Sequence, residues 1–304
     1  MEEPTDTEVV RILQSRAALF RSIRTFFETR GFVEVDTPAI VPSPGLDVHL
    51  SAIEVRGPDG RPIGWLATSP EYQMKRLLAA GATRIFQLGK SYRADEHGPF
   101  HEREFTMLEW YRTDATSDDV MADTETLVAS LAETWLGSNT ESFSTPWERR
   151  TVDEVMRAHT GSGADDFKDD EAFFRAWVDH VQPNLGVKAP VFVVDWPRSM
   201  ASLAQLNPDG TADRFEGFYR GVELCNGFGE LTDPIEQRAR FETDQRARSE
   251  AGLPVYPIDE RFIQALERGI PPSAGNALGV DRLLMLLGGA DSIQTVMPFP
   301  EERL

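Results

Sequence analysis

Between Lys90 and Arg112 the chain reads KSYRADEHGPFHEREFTMLEWYR, two strand-like runs on either side of a charged loop. Strand alternation puts Phe105, Met107, Glu109 and Tyr111 on one face and leaves Leu108 and Trp110 for a core on the other. A carboxylate and a phenol beside aromatic and thioether groups can hold a cation while covering an apolar stem. From spacing alone, a half-solvated strand with Glu109 facing water fits equally well.

The rest of the chain supplies helices and strands out of strict alternation. Residues 8–30 read as an amphipathic helix carrying Val9, Ile12, Leu13, Leu19, Phe20, Ile23, Phe26 and Phe27 at helical spacing, with Gly31 as its stop. A short strand at 32–35 follows. Residues 49–67 read as a hairpin turning at Pro58-Asp59-Gly60, and Ser69-Pro70 opens a helix to about residue 80. A helix is expected at 117–136. The segment 138–190 reads as a largely helical insertion. Strands are expected at 191–195 and 215–224, helices at 233–251 and 259–268, and a Gly-rich strand at 275–279 runs into a helix over 280–287. This order predicts an α+β fold, an antiparallel or mixed sheet flanked by helices, rather than a doubly wound one.

Composition narrows the function classes. The formal charge is 31 − 50 = −19, and no basic run is present to neutralise a phosphate backbone, which weighs against a long nucleic acid such as tRNA as partner. No apolar stretch is long enough to span a membrane. The N-terminus MEEPTDTEVV lacks the basic and apolar regions of a secretory signal. Cys225, the one cysteine, excludes an intrachain disulfide and a thiolate metal cluster and fits a reducing cytoplasm.

Four further segments carry chemistry. RFEGFYRGVELCNGFGELTD (214–233) spaces Glu216, Glu223 and Glu230 seven apart around Asn226, with Gly227 and Gly229 able to turn the backbone near a ligand. PPSAGNALGVDRLLMLLGG (271–289) is a Gly-rich strand ending in a helix that bears Arg282. TSPEYQMKRLL (68–78) starts a helix behind Ser69, a residue type that also caps helices. RAALFRSIRTFFETRGFVEVDTPAI (16–40) is a long helix, a strand and Pro38. Taken singly, each also fits an ordinary acidic strand, strand–helix junction, helix start or core helix.

Together these segments resemble the signature motifs of class II aminoacyl-tRNA synthetases. The stretch 16–40 is similar to motif 1, 90–112 to motif 2 and 271–289 to motif 3, with Ala277 in place of one motif glycine. The pattern R-F-E, then G-x-E-x-x-N-G-F-x-E-L, is similar to the lysyl subgroup. Along nearly the whole chain the resemblance is nearest to its short paralogues, the elongation factor P–lysine ligase family. It implies a single catalytic domain spanning 1–304 and a homodimer through motif 1. The first helix starts within about ten residues of Met1, so the anticodon-reading OB domain of lysyl-tRNA synthetases is expected to be absent.

The resemblance also implies a site. Arg93 would contact the ATP α-phosphate and Arg282 the γ-phosphate, as charge-assisted donors to phosphate oxygens. Phe105 would stack on adenine. Asp95, His101, Glu102, Leu224 and Gly279 would help surround ATP, and Glu216 and Glu223 would reach Mg²⁺. Ser69, Glu71 and Asn226 would hold the amino acid, with Glu71 at an α- or β-ammonium. Glu109, Tyr111 and Glu230 would seat the side-chain ammonium, two buried carboxylates answering a charge that would be costly alone. The implied reaction activates lysine or (R)-β-lysine as the aminoacyl-adenylate and passes it to a lysine of elongation factor P. A minimal tRNA ligase and a catalytically silent regulator are the rival readings.

Three departures stand out. Asp95 occupies a position where the family has Glu, and Glu102-Arg103 replaces Asn-Pro, setting an acid near a polyphosphate. Cys225 is bulkier than the family's Gly or Ala and is expected to reshape the pocket floor.

Overall fold

In the computed structural model the described residues are 5–137 and 140–304. Residues 1–4, part of the acidic N-terminus, lie outside them, as do 138 and 139 at the start of the expected insertion. In chain order the elements are α1 (Asp6–Glu28), β1 (Val33–Glu34), β2 (Ile40–Val41), β3 (Glu54–Arg56), β4 (Pro62–Leu66), α2 (Glu71–Ala79), β5 (Arg84–Tyr92), β6 (Glu104–Thr113), α3 (Ser117–Leu136), β7 (Glu148–Thr151), α4 (Val152–Thr160) and α5 (Asp170–Ala176). Then come β8 (Val191–Trp196), β9 (Ala212–Tyr219), β10 (Val222–Gly229), α6 (Pro234–Glu250), α7 (Glu260–Arg268), β11 (Ser273–Gly279) and α8 (Val280–Leu287). The fold is α+β, with most strand pairs antiparallel. The pairs β1–β5 and β7–β8 are parallel. Two compact units account for the chain: residues 1–113, 232–271 and 279–304, and residues 114–231 and 272–278.

In the first unit, Thr5 and Glu8 close a capping box that starts α1. The apolar stripe of α1 ends in Phe27, fully buried, whose ring lies 4.9 Å from Phe86 of β5 and 5.3 Å from Trp110 of β6. Burying a Phe of this kind contributes about 1.5–3 kcal/mol. One face of the β5–β6 pair is thereby committed to α1. The other carries Glu109, opposite Gln87, and Phe105, opposite Ser91. α2 packs by Tyr72 on α7, its ring stacked 4.7 Å from Phe262.

The long arm of this unit is polar. Arg16 of α1 is buried and donates to Asp281 Oδ1 of α8 (2.5 Å), to Thr106 Oγ1 of β6 (2.9 Å) and to the Val296 carbonyl (3.2 Å). The second Asp281 oxygen accepts from Thr106 N at 2.6 Å. One guanidinium thus joins the first helix, the central strand and the last helix.

The second unit is a five-strand arrangement, β11-β10-β9-β8-β7. Its apolar cluster gathers Val155 and Met156 of α4, Phe173 of α5, the π-helical Trp177 and Val181, Val191 and Val193 of β8, and Phe218 of β9. The expected insertion therefore contributes a strand as well as helices. β7, sequence ERRT, is an edge strand parallel to β8, and its polar residues gave no apolar signal. The single strand expected at 215–224 is instead the hairpin β9–β10. Arg220 and Gly221 form its two-residue turn, both at positive φ (52° and 74°).

Candidate active site

In the first unit an enclosed polar cluster is built around Glu109. Glu109 is fully enclosed on β6, with Ser69 Oγ donating to its Oε1 (2.7 Å) and Tyr111 OH to its Oε2 (3.0 Å). Ser69 also accepts from Glu71 N at 3.0 Å, so its hydroxyl both shapes the start of α2 and holds Glu109. Burial, reinforced by the neighbouring Glu71 carboxylate, pushes Glu109 up to about 8 despite those two hydrogen bonds and the Arg93 charge. Glu71 pairs one turn on with Lys75, 2.7 Å away and almost completely buried. Ser69, Glu71, Glu109 and Tyr111 therefore do come together. Lys75 is a partner that the sequence reading missed, although its i,i+4 spacing from Glu71 was visible.

The loop between β5 and β6 gathers cationic side chains around one carboxylate. Arg93 lies with its guanidinium 5.1 Å from the Phe105 ring and 2.7 Å from Glu96. Burial raises the Glu96 carboxyl, but Arg93, His101 and Arg282 outweigh it and hold the group below its ordinary value. Arg93, His101 and Arg282 thus share a neighbourhood within this unit. The Arg93 Nε is buried without a hydrogen-bond partner among the described residues, a donor suited to an anion. Arg282 donates to the Phe100 carbonyl (3.1 Å), and its stem runs beside Gly279 at the start of α8, where a Cβ would make only an ordinary contact with Arg282 Cδ at 3.4 Å.

Two acids of this loop sit differently from one another. Asp95 is exposed, and the acid drawn toward Arg93 is its neighbour Glu96. Glu102, expected near a polyphosphate, is engaged by protein groups. It is buried, its Oε1 accepting from Gln294 Nε2 (2.9 Å) and its Oε2 from Glu301 N (3.1 Å).

In the second unit the hairpin sets the faces. Glu216 pairs directly with Asn226, and Phe218 with Glu223, so these four share one face. Glu223 and Asn226 are three apart, which on a regular strand would place them on opposite faces. The bulge between Glu223 and Cys225 inserts Leu224 as the extra residue and restores the match. Continued alternation brings Phe228 and Glu230 to this face, and Glu230 is buried at 3% exposure. Asn226 Oδ1 is buried without a hydrogen-bond partner among the described residues. Glu216 is committed to Arg214 at 2.5 Å, and that guanidinium sits 4.6 Å from the Trp196 ring and donates to the Met200 carbonyl at 2.7 Å. As a metal ligand Glu216 is therefore already partly spent, and Arg214 is a partner the sequence reading left unassigned.

Cys225 is a correction of another kind. It lies opposite Gly217, on the reverse face of the hairpin from Glu216 and Asn226, and so does not floor their pocket. Its thiol is buried, which pushes it up to about 12, with Asn276 as hydrogen-bond partner. Gly217 makes room for it: a Cβ there would stand 2.8 Å from Sγ.

Among the described residues no group of three His, Cys, Asp or Glu could cage a metal ion. The residues fit Mg²⁺ only as a nucleotide carries it, where one or two carboxylates suffice and phosphates complete the shell. No helix among the described residues is long and apolar enough to cross a membrane.

Known proteins resemble this chain along nearly its whole length. Residues 4–303 match the family described as tRNA synthetases class II (D, K and N). An elongation factor P–(R)-β-lysine ligase of Hamiltonella defensa subsp. Acyrthosiphon pisum (strain 5AT) is 41% identical over 310 residues, covering 96% of this chain and 95% of the relative. The protein of the same description from Edwardsiella ictaluri (strain 93-146) is 42% identical over 311 residues, with the same coverage. The chain belongs to the class II tRNA synthetase family that groups the D, K and N enzymes.

Proposed function

We propose that this protein is a ligase that activates lysine or (R)-β-lysine with ATP and joins it to a lysine side chain of elongation factor P. The observation that carries the reading is Glu109, enclosed between Ser69 and Tyr111 with Glu71 beside it. An ammonium on an apolar stem is the ligand that turns this buried carboxylate from a cost into a pair. The relatives' shared description supplies the acceptor and the preference for the β-isomer.

In the first half-reaction the amino acid carboxylate attacks the α-phosphorus and pyrophosphate leaves. Arg93 takes the α-phosphate, displacing Glu96, while Arg282 takes the γ-phosphate and His101 adds a further donor. Phe105 offers its ring to adenine. These groups act by position and charge, without a covalent enzyme intermediate. Glu71 receives the backbone ammonium. In the second unit, Asn226 takes the carboxylate end and Glu230 an ammonium, and Glu223 and Glu216 would hold Mg²⁺, which would neutralise phosphate charge. In the second half-reaction the neutral amine of the acceptor lysine attacks the acyl carbon. An amide forms, AMP leaves, and the amine gives up a proton.

A homodimer through α1 and β1 is part of this reading, supported by the exposed Val10, Leu13 and Val33. A cytoplasmic setting fits the buried thiol of Cys225. The test is mass spectrometry of elongation factor P after incubation with the enzyme, ATP and each lysine isomer, alongside ATP–pyrophosphate exchange. The expected result is one added lysyl residue on the factor, with the β-isomer preferred. Label transferred to tRNA instead refutes the acceptor, and absence of exchange with either isomer refutes the activation step.

A further inference from the structure

The Glu102-Arg103 departure has a structural counterpart in the segment 292–303. Three successive carbonyls of the β5–β6 loop are each held from outside the loop. Gly98 O accepts from Gln294 Nε2 (2.8 Å), Pro99 O from Ile293 N (2.9 Å) and Phe100 O from Arg282 Nε (3.1 Å). Glu102 closes the arrangement from within, its two oxygens taking Gln294 Nε2 and Glu301 N. Arg103 pairs with the Glu301 carboxylate and donates to the Ala94 carbonyl at 3.0 Å. Arg303 in turn donates to the Gln294 carbonyl at 2.5 Å. The loop so held is the one that presents Arg93, Glu96 and His101.

We infer that Glu102 is a positioning residue: by gripping Gln294 and the Glu301 amide it straps segment 292–303 over the β5–β6 loop and presets Arg93 and His101 for ATP. The inference rests on the proposed role of that loop in ATP binding. Its physical basis is the difference between two contacts on the same residue. The Glu301 amide bonds to a carboxylate at 2% exposure, a charge-assisted hydrogen bond in a shielded place. The Glu301 side chain meets Arg103 at the surface, where an ion pair contributes little. The strap therefore depends on the Glu301 N–H and hardly on its carboxylate.

Glu301→Pro removes that N–H together with the Glu301 carboxylate. Residue 301 opens a helical turn, where Pro is tolerated, and Pro300 at φ −70°, ψ 160° already has the conformation a following Pro demands. Glu301→Ala is the control that keeps the N–H. Hydrogen exchange of amides 94–103 in the ligand-free protein is expected to speed up about tenfold or more in Glu301→Pro, with the centres of β5 and β6 unchanged. In ATP–pyrophosphate exchange the same variant is expected to raise KM for ATP several-fold while KM for the amino acid stays within twofold. Glu301→Ala should match wild type in both assays. Unchanged loop exchange in Glu301→Pro overturns the strap, and so does an equal effect in Glu301→Ala. Faster loop exchange with an unaltered KM for ATP overturns the positioning role. Wild-type protein without any pyrophosphate exchange removes the proposed function instead, and the hydrogen-exchange arm then decides the strap by itself.

Discussion

Replacing Glu109 with Gln should change how stability depends on pH, by an amount the site fixes. The carboxyl ordinarily ionises at 4.5 and is pushed to about 8 in the fold. Between those values the folded state binds more protons than the unfolded state, so stability falls as pH rises through that window. Each unit of displacement corresponds to about 1.36 kcal/mol. Wild type should therefore lose roughly 3 kcal/mol from this group between pH 4.5 and 7, and roughly 5 kcal/mol by pH values above 8. Gln keeps the shape and the two hydrogen-bonding positions but does not titrate. The assay is urea unfolding of both proteins at pH 5, 7 and 8.5, reading the difference in unfolding free energy so that groups common to both cancel. Glu109→Gln should gain on wild type steadily across the series. A difference constant within about 1 kcal/mol from pH 5 to 8.5 would refute the reasoning. The same proton must leave when an ammonium arrives, so amino acid binding at pH 7 should release close to one proton, measurable by calorimetry in buffers of different ionisation enthalpy.

Two more expectations concern residues away from the ligands. Arg16→Ala leaves Asp281 buried without its guanidinium and should cost about 3–5 kcal/mol in urea unfolding, and a loss below about 1 kcal/mol would show the buttress to be dispensable. Cys225→Ala removes a buried atom about the size of one methylene from the reverse face of the hairpin, so stability should fall by about 1 kcal/mol while KM for the amino acid holds within twofold, and a clear change in that KM would put Cys225 back in the pocket.

Periodicity was a good guide where one face of an element is buried. The helix expected at about 117–136 is α3, because its buried Val120, Thr124, Leu127, Val128 and Leu131 recur at helical spacing and Thr116 with Asp119 caps it. The β5–β6 pair and the Ser69, Glu71, Glu109 and Tyr111 cluster followed from alternation and motif together. The failures have local causes. At the β9–β10 turn Arg220 sits in a left-handed conformation that Asn or Gly ordinarily marks, so nothing in the residue type announced a reversal. β7 has no apolar residue to alternate. Asp95 and Glu96 are adjacent acids, and only the path of the loop decides which one turns toward Arg93. Cys225 was misplaced because a bulge shifts parity, which counting along a strand cannot reveal.

That parity makes the acidic face depend on the bulge itself and not on the side chain that fills it. Were the strand to keep Leu224 but run regularly through it, Glu223 would turn to the side now held by Cys225 and Gly217, carrying a carboxylate into the layer beneath the sheet. Excising Leu224 would instead leave Glu223 and Asn226 two apart on a regular strand and still on one face, so the hairpin can lose this residue and keep its acids together, but it cannot keep the residue and iron out the kink.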